Sequence, residues 1–179
     1  MACRTSGSER RENLRQQLWP KETCWTGENE RGWFKAPRTL PLLLGLLGSK
    51  EISGNQDPAP AYVELLARHL GEGVIEMSPE ADHAFAAGYY GPRGVRTWRE
   101  RMRILQEAEF IRVAKKGNRE FGYVLLVHPA VAVQRLHDAG RVPDQWMQDY
   151  ATRRIETKEA MPAPAPPKIL SLRDQVRTA

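Results

Sequence analysis

The amino-acid sequence predicts a mainly helical fold that carries a small β-hairpin. Several stretches repeat apolar residues at the three- and four-residue spacing of a helix and are bounded by glycine or proline. Two later stretches, residues 110–113 and 121–127, are rich in aromatic and β-branched residues and flank a KGNR turn sequence at residues 116–119. With 41% apolar and 27% charged residues, the chain has enough apolar side chains for a core beneath a polar surface.

The N-terminal segment, residues 1–31, is polar and basic and is interrupted by proline and glycine. We therefore expect it to be loosely ordered. Trp19, Trp25 and Trp33 are exceptions to the polar character of this stretch. Two interpretations are open: the tryptophans pack the segment onto the folded domain, or they form a surface that binds a partner or stacks on bases.

Residues 32–57 are predicted to contain one helix followed by a loop. Thr39 stands just before Pro41, which suits the first turn of a helix, and the apolar run ends at Gly48. Glycine, asparagine, aspartate and proline at residues 54–58 then indicate a loop.

Residues 58–128 are predicted to form the central domain. Residues 59–70 repeat apolar side chains at helical spacing and run into glycines, which favour a helix end. A short strand is expected at residues 74–77. The Ser-Pro-Glu sequence at residues 78–80 suits a second helix start and places an acid at the positive end of the helix dipole. We expect that helix to end near Gly88.

The longest predicted helix, residues 95–108, follows a glycine-rich turn and has two distinct faces. At about 100° per residue, Val95, Trp98, Met102 and Leu105 fall on one side, which predicts that this side is buried. A row of arginines is turned by more than a quarter of a circle from that side and is expected to point outward: Arg93, Arg96, Arg99 and Arg103.

Residues 129–157, after the hairpin, are predicted to form two more helices at about residues 130–139 and 144–155. These helices either complete the core or provide a dimer contact. The need of a small domain for additional core favours the first alternative. In the last segment, residues 158–179, the closely spaced prolines of residues 161–167 exclude a helix or a central strand there, because proline lacks the N–H donor and fixes φ. The final twelve residues are too few to fold alone. We expect a disordered, Pro-rich tail.

The order helix, short strand, helix, turn, longer helix and hairpin resembles the winged helix-turn-helix superfamily over about 70 of the 179 residues. In that superfamily the recognition helix carries core residues at a four–three spacing, and an apolar pair opens the first wing strand. Trp98, Met102 and Leu105 keep this spacing, and Phe110-Ile111 stands where the strand begins.

One neighbouring segment extends the resemblance, and two features depart from it. The sequence AFAAG at residues 84–88 is similar to the small-residue helix and turn that pack beneath the recognition helix. Glu109 occupies the place where the superfamily often has a glycine of positive φ, and the turn at residues 89–94 is longer than the tightest version.

The resemblance implies that the helix at residues 95–108 enters the major groove of double-stranded DNA, while the hairpin at about residues 112–120 contacts the flanking backbone. Between residues 93 and 119, nine basic and three acidic residues leave an excess of six positive charges, compared with +5 for the whole chain. The implied DNA-binding residues are Arg93, Arg96, Thr97, Arg99, Arg103, Arg112, Lys115, Lys116, Asn118 and Arg119.

The implied role is transcriptional regulation, or control of replication or partition, as similar proteins perform in bacteria, with a homodimer as one arrangement. The alternative is a winged-helix module that docks proteins within a nucleoprotein complex, because the same surfaces serve that purpose. The N-terminal tryptophans or the Pro-rich tail would suit a protein partner.

Other classes of function have little support in the sequence. Cys3 and Cys24 form no CxxC pair, and the four histidines, His69, His83, His128 and His137, lack zinc-ligand spacing. No phosphate-binding glycine loop or recognisable nucleophile occurs, so we expect neither a metal nor a cofactor, and no enzyme activity.

The sequence also predicts the location of the protein. The longest apolar run, residues 40–47, is far shorter than the roughly 20 residues of a membrane span, and the N-terminus lacks the apolar stretch of a secretory signal. We expect a cytoplasmic protein associated with the nucleoid or a plasmid and not with a membrane.

Overall fold

The computed structural model describes residues 7–18, 20, 32, 34–69 and 73–159. The chain divides into two units, Met1–Trp33 and Phe34–Ala179, which are described separately.

In the first unit, helix α1 spans Gly7–Leu18. The sequence predicted a loosely ordered segment here and missed this helix. Its residues are mostly good helix formers, and Glu12 accepts hydrogen bonds from Arg15 and Gln16 one turn later. The hydrogen bond from Arg15 lowers the pKa of Glu12 to about 2. The missed signal is therefore local helix propensity and charge pairing in a segment without an apolar face.

The described part of the second unit is mainly helical and contains one small antiparallel sheet. Its elements in chain order are α2 (Leu40–Leu47), α3 (Lys50–Ser53), α4 (Ala59–Arg68), β1 (Val74–Glu76), α5 (Glu80–Ala86), α6 (Gly94–Glu107), β2 (Ile111–Lys116), β3 (Arg119–Leu126), α7 (Pro129–Asp138) and α8 (Asp144–Thr157).

The predicted fold class is confirmed, and most predicted boundaries lie within two residues of the observed ones. The strands of the hairpin are longer toward the tip than expected. The four-residue helix α3 was assigned to no element because it is too short to show a period. Helix α4 ends at Arg68, and residues 70–72 lie outside the described part of the chain.

The sheet has the order β1-β3-β2, with both pairs antiparallel. Strand β1 pairs with the far half of β3, from Val74 opposite Leu125 to Glu76 opposite Tyr123. The hairpin register is irregular near its tip, since Ala114 lies opposite Tyr123 and Lys116 lies opposite Arg119. Residues 120–122 therefore bulge opposite Lys115 alone, which bends the strand locally.

The core of the second unit lies between the helices and the inner face of this sheet. Its largest fully buried side chains come from α4, α6, α8 and the hairpin. They include Trp98, Tyr62, Tyr150, Phe110 and Phe121. Tyr62 meets Phe110 edge to face, with ring centroids 5.3 Å apart. Because α7 and α8 contribute Val133, Leu136 and Tyr150, the two C-terminal helices complete this core.

Helix α6 ends in a reversal that sets the direction of the hairpin. Glu109 adopts φ 63°, the left-handed conformation that glycine usually supplies at this place. The N–H of Phe110 donates to the carbonyl of Leu105, and the N–H of Glu109 donates to that of Gln106. The buried pair Leu105 and Phe110 closes this helix-end motif.

No helix among the described residues is long and apolar enough to cross a membrane. The predicted disordered tail falls mostly on residues 160–179, which lie outside the described part. Its first two residues are described. Glu159 accepts hydrogen bonds from the N–H and the hydroxyl of Thr39, both at 2.9 Å.

Candidate nucleic-acid interface

The orientation of helix α6 follows the amphipathic pattern of its sequence. Trp98, Met102 and Leu105 are completely buried, and Val95 is half-buried against the same core. All four residues predicted for the inner face therefore contact the core.

Trp98 is held between two buried rings. The indole stacks on the imidazole of His83, with centroids 5.5 Å apart, and meets Phe121 of the hairpin edge to face at 5.4 Å. The indole N–H forms no hydrogen bond with a described residue, so the contacts that hold this ring are packing contacts. Trp98 thus ties α6 to α5 on one side and to β3 on the other.

His83 is itself fixed by hydrogen bonds. Its Nε2 accepts from the N–H of Ser78 at 3.1 Å, so the ring proton resides on Nδ1 and is donated to Glu64 at 3.0 Å. Glu64 is also paired with Arg68 one turn later in α4. This buried link between α4 and α5 positions the ring on which Trp98 stacks. The role of Glu64 was not anticipated from the sequence.

The arginine row of α6 points away from the core. The side chain of Arg96 is 83% exposed, and those of Arg99 and Arg103 are about half exposed. Arg93 is exposed just before the first turn, and Thr97 is half-buried beside the row. The structure therefore brings these five predicted residues together along one side of α6.

The turn before α6 permits a close approach of the chain. A methyl group on Gly94 would overlap the carbonyl oxygen of Tyr89, so this position has room only for glycine. Gly88 and Gly91 both have positive φ, near 81°. These glycines place Arg93 at the start of the helix.

The hairpin places a second set of predicted residues near α6. Gly117, with φ 59°, turns the chain so that Lys116 lies opposite Arg119. Lys115 and Asn118 are exposed at the same tip. The ammonium group of Lys116 lies 5.6 Å from the ring centroid of Tyr123, within cation–π distance.

Arg112 lies apart from the other predicted residues. It stands opposite Leu125 at the base of the hairpin, whereas Lys116 stands at the tip. Its guanidinium pairs with Glu109 at 3.0 Å, and Glu109 also binds Arg135 of α7. These two arginines lower the pKa of Glu109. Arg112 therefore belongs to a charged cluster at the far end of α6.

Carboxylates pair with five of the eight predicted basic residues. Their partners were not recognised from the sequence: Arg96 binds Glu100, Arg99 binds Glu80, Arg103 binds Glu120, Arg112 binds Glu109 and Lys116 binds Glu76. Arg93, Lys115 and Arg119 form no ion pair with any described residue. The basic surface is therefore a mixture of paired and unpaired cations.

One apolar pair next to α6 differs from the prediction. Phe85, expected within the small-residue segment that packs under α6, is 69% exposed, while its neighbours Ala84 and Ala87 are buried. Its ring meets that of Tyr90, which is 71% exposed, at 5.4 Å. The helical period explains the difference, because Phe85 follows the buried Ala84 by one residue and so points to another side of α5.

Among the described residues, no group of three or more His, Cys, Asp or Glu side chains is placed to hold a metal ion. All four histidines bind backbone or carboxylate groups within the second unit. His69 accepts from the N–H of Gly73, His128 accepts from that of Ala130, and His137 pairs with Asp144. The fourth, His83, is the buried ring beneath Trp98. The predictions about Cys3, Cys24, Trp19, Trp25 and Trp33 fall outside the described residues.

In a comparison with known proteins, no family model, no curated protein and no solved structure matches this chain.

Proposed function

We propose that this protein binds double-stranded DNA as a member of the winged helix-turn-helix superfamily. Helix α6 enters the major groove, and the tip of the β2–β3 hairpin lies along the adjacent sugar–phosphate backbone. The role is transcriptional regulation or the control of replication or partition, in the cytoplasm at the nucleoid or on a plasmid. The action is binding and not catalysis, and a homodimer would match a palindromic site.

One observation carries the proposal: α6 has a fully buried side anchored by Trp98 and an exposed row of arginines beside a basic hairpin tip. An α-helix fits the width of the major groove, where arginine pairs bidentately with guanine or contacts phosphate. Arg93 at the start of α6, and Lys115 and Arg119 at the hairpin tip, form no ion pair with a described residue. They are suited to phosphate contacts that position a protein on a duplex.

The test compares the wild-type protein with the double variant Arg93→Ala/Arg96→Ala on a labelled random-sequence duplex of about two turns, ~21 base pairs. Both side chains are exposed on the row, so the fold should be retained while affinity falls by about tenfold or more. Arg153→Ala is the matched control, because Arg153 is an exposed arginine of α8 that pairs with Glu156. Equal affinities of the double variant and the control would exclude α6 as the binding helix.

The second candidate function is the docking of a protein partner, and the exposed pair Phe85 and Tyr90 favours it. Aromatic side chains are enriched at the centres of protein interfaces. If this pair is the binding surface, Phe85→Ser/Tyr90→Ser abolishes partner binding and leaves DNA binding intact. A DNA binder instead loses affinity steeply as salt rises, because it releases counterions from the phosphates.

A further inference from the structure

Arg99 of α6 is held by a carboxylate from a neighbouring helix. Its Nε donates to Glu80 at 2.8 Å, and its Nη2 binds the same carboxylate oxygen. Glu80 is the first residue of α5 and is the less exposed partner, at 17% against 48% for Arg99. The helix dipole favours an anion at that position. Glu80 is therefore the more enclosed member of the pair, and the guanidinium of Arg99 is the more exposed one.

Arg103, one turn later, is held by the hairpin. Its Nη2 lies 2.9 Å from Oε2 of Glu120, and its Nε lies 3.4 Å from Oε1. Both oxygens of the carboxylate therefore face the guanidinium. This hydrogen bond lowers the pKa of Glu120 and raises that of Arg103, so the pair is ionised at neutral pH.

Both pairs use the Nε and Nη2 donors of the guanidinium, which are also the donors of a bidentate contact with DNA. A guanidinium presents the same forked N–H groups to a carboxylate, a phosphate or the O6/N7 edge of guanine. For Arg99 or Arg103 to present this Nε–Nη2 edge to DNA, the carboxylate must release it and then lie close to a polyanion. Arg93, Lys115 and Arg119 require no such exchange, since no described residue forms an ion pair with them.

Resting on the proposed function, we infer that Glu80 and Glu120 compete with DNA for Arg99 and Arg103 and so lower the affinity for duplexes of arbitrary sequence. A phosphate alone replaces one anion by another, with little gain. A guanine at the right place accepts both hydrogen bonds of the fork, which other bases do not, so a matching sequence compensates for the exchange and an arbitrary one does not. The two carboxylates are therefore specificity-determining residues: they leave about three phosphate contacts for non-specific binding and reserve the paired arginines for a matching sequence.

The experiment measures binding of the random-sequence duplex by the full chain carrying Glu80→Gln/Glu120→Gln over a range of salt concentrations. Freeing two cations should raise affinity about tenfold. It should also steepen the slope of log K against log salt from about −2.7 to about −4.5, at −0.9 per phosphate contact. The matched control is Glu156→Gln, which makes the same charge change in the exposed Arg153–Glu156 pair of α8 and should change affinity less than about twofold.

A double-mutant cycle separates competition from simple repulsion. If Glu80 acts by holding Arg99, Glu80→Gln raises affinity in the wild-type background and has little effect in the Arg99→Ala background. An equal gain in both backgrounds, or a double glutamine variant that matches the Glu156→Gln control, overturns the inference while the proposed function stands. Absence of salt-sensitive binding by the wild type and by the glutamine variants alike refutes the proposed function itself.

Discussion

Trp98 determines which side of α6 faces solvent. The indole is fully buried between His83 of α5 and Phe121 of β3, so a rotation of the helix would expel a large apolar ring into water. The arginines reach outward as a consequence of this anchoring.

Trp98→Ala is expected to lower the free energy of unfolding by about 3–5 kcal/mol, because it empties a site that collapses poorly between two rings. Trp98→Phe should cost less, since the indole N–H has no hydrogen bond to lose. Phe85→Ala, which removes an exposed ring, should stay within about 0.5 kcal/mol of wild type. Urea denaturation measures all three. A stable, soluble Trp98→Ala protein would contradict the helical orientation described above.

Gly122 allows the two strands of the hairpin to approach closely at the bulge. A methyl group there would overlap the backbone nitrogen and Cβ of Lys116. Gly122→Ala should therefore force the strands apart and cost about 1–3 kcal/mol. Gly45→Ala in α2 is the matched control. It should raise the free energy of unfolding by about 0.5–1 kcal/mol, since no described atom outside its own helix backbone lies near the added methyl group. Thermal unfolding of both variants compares the two effects, and equal shifts would argue against the tight bulge.

At the scale of elements, helix α7 begins at a histidine that acts as its cap. Nδ1 of His128 accepts a hydrogen bond from the N–H of Ala130 at 3.2 Å. Only a neutral imidazole has this acceptor, and desolvation lowers the pKa of His128 from its ordinary 6.5. The start of the helix that completes the core therefore depends on pH.

The sign of this dependence follows from the lowered pKa. Because the unfolded state binds the proton more readily, the contribution is fully present above about pH 6.5 and is lost as pH falls toward the pKa of the folded state. His128→Asn keeps a capping acceptor that does not titrate, and should flatten the stability profile between about pH 5 and 7. Urea midpoints across that range measure the difference. An unchanged profile would show that the cap is not the titrating group.

The elements also show which features are predictable from sequence. Helix α6 was predicted within one residue at each end, because its pattern and the chain reversal at Glu109 are local. The positive φ of Glu109 was not predicted, because the sequence has no glycine at this place to indicate it. Helix α3 is too short to show a period, and α1 has no apolar side to reveal it. The pairing of β1 with β3 depends on chain closure over some 50 residues, which no local pattern encodes.

At the scale of the whole molecule, the charge of the proposed interface differs from the count made along the chain. The excess of six positive charges within residues 93–119 is reduced in space by acids from other elements: Glu76, Glu80 and Glu120. Glu76 and Glu80 lie 40 and 19 residues from their partners, and Glu120 lies 17 residues away. The arginine row was predictable because it follows the helical period. Glu100, the partner of Arg96, lies one turn away in the same helix, whereas Glu80 and Glu120 were not predictable as partners because only the tertiary fold brings them to the row.

The salt dependence of duplex binding tests the central claim most directly. The wild-type protein should bind a random-sequence duplex with log K falling against log salt at a slope of about −2.7, as expected for three phosphate contacts. Arg93→Ala/Lys115→Ala/Arg119→Ala should flatten that slope toward zero while leaving the unfolding midpoint unchanged, because none of these side chains is buried or paired with a described residue. A wild-type protein whose affinity does not change with salt, or a triple variant with the wild-type slope, would contradict the account.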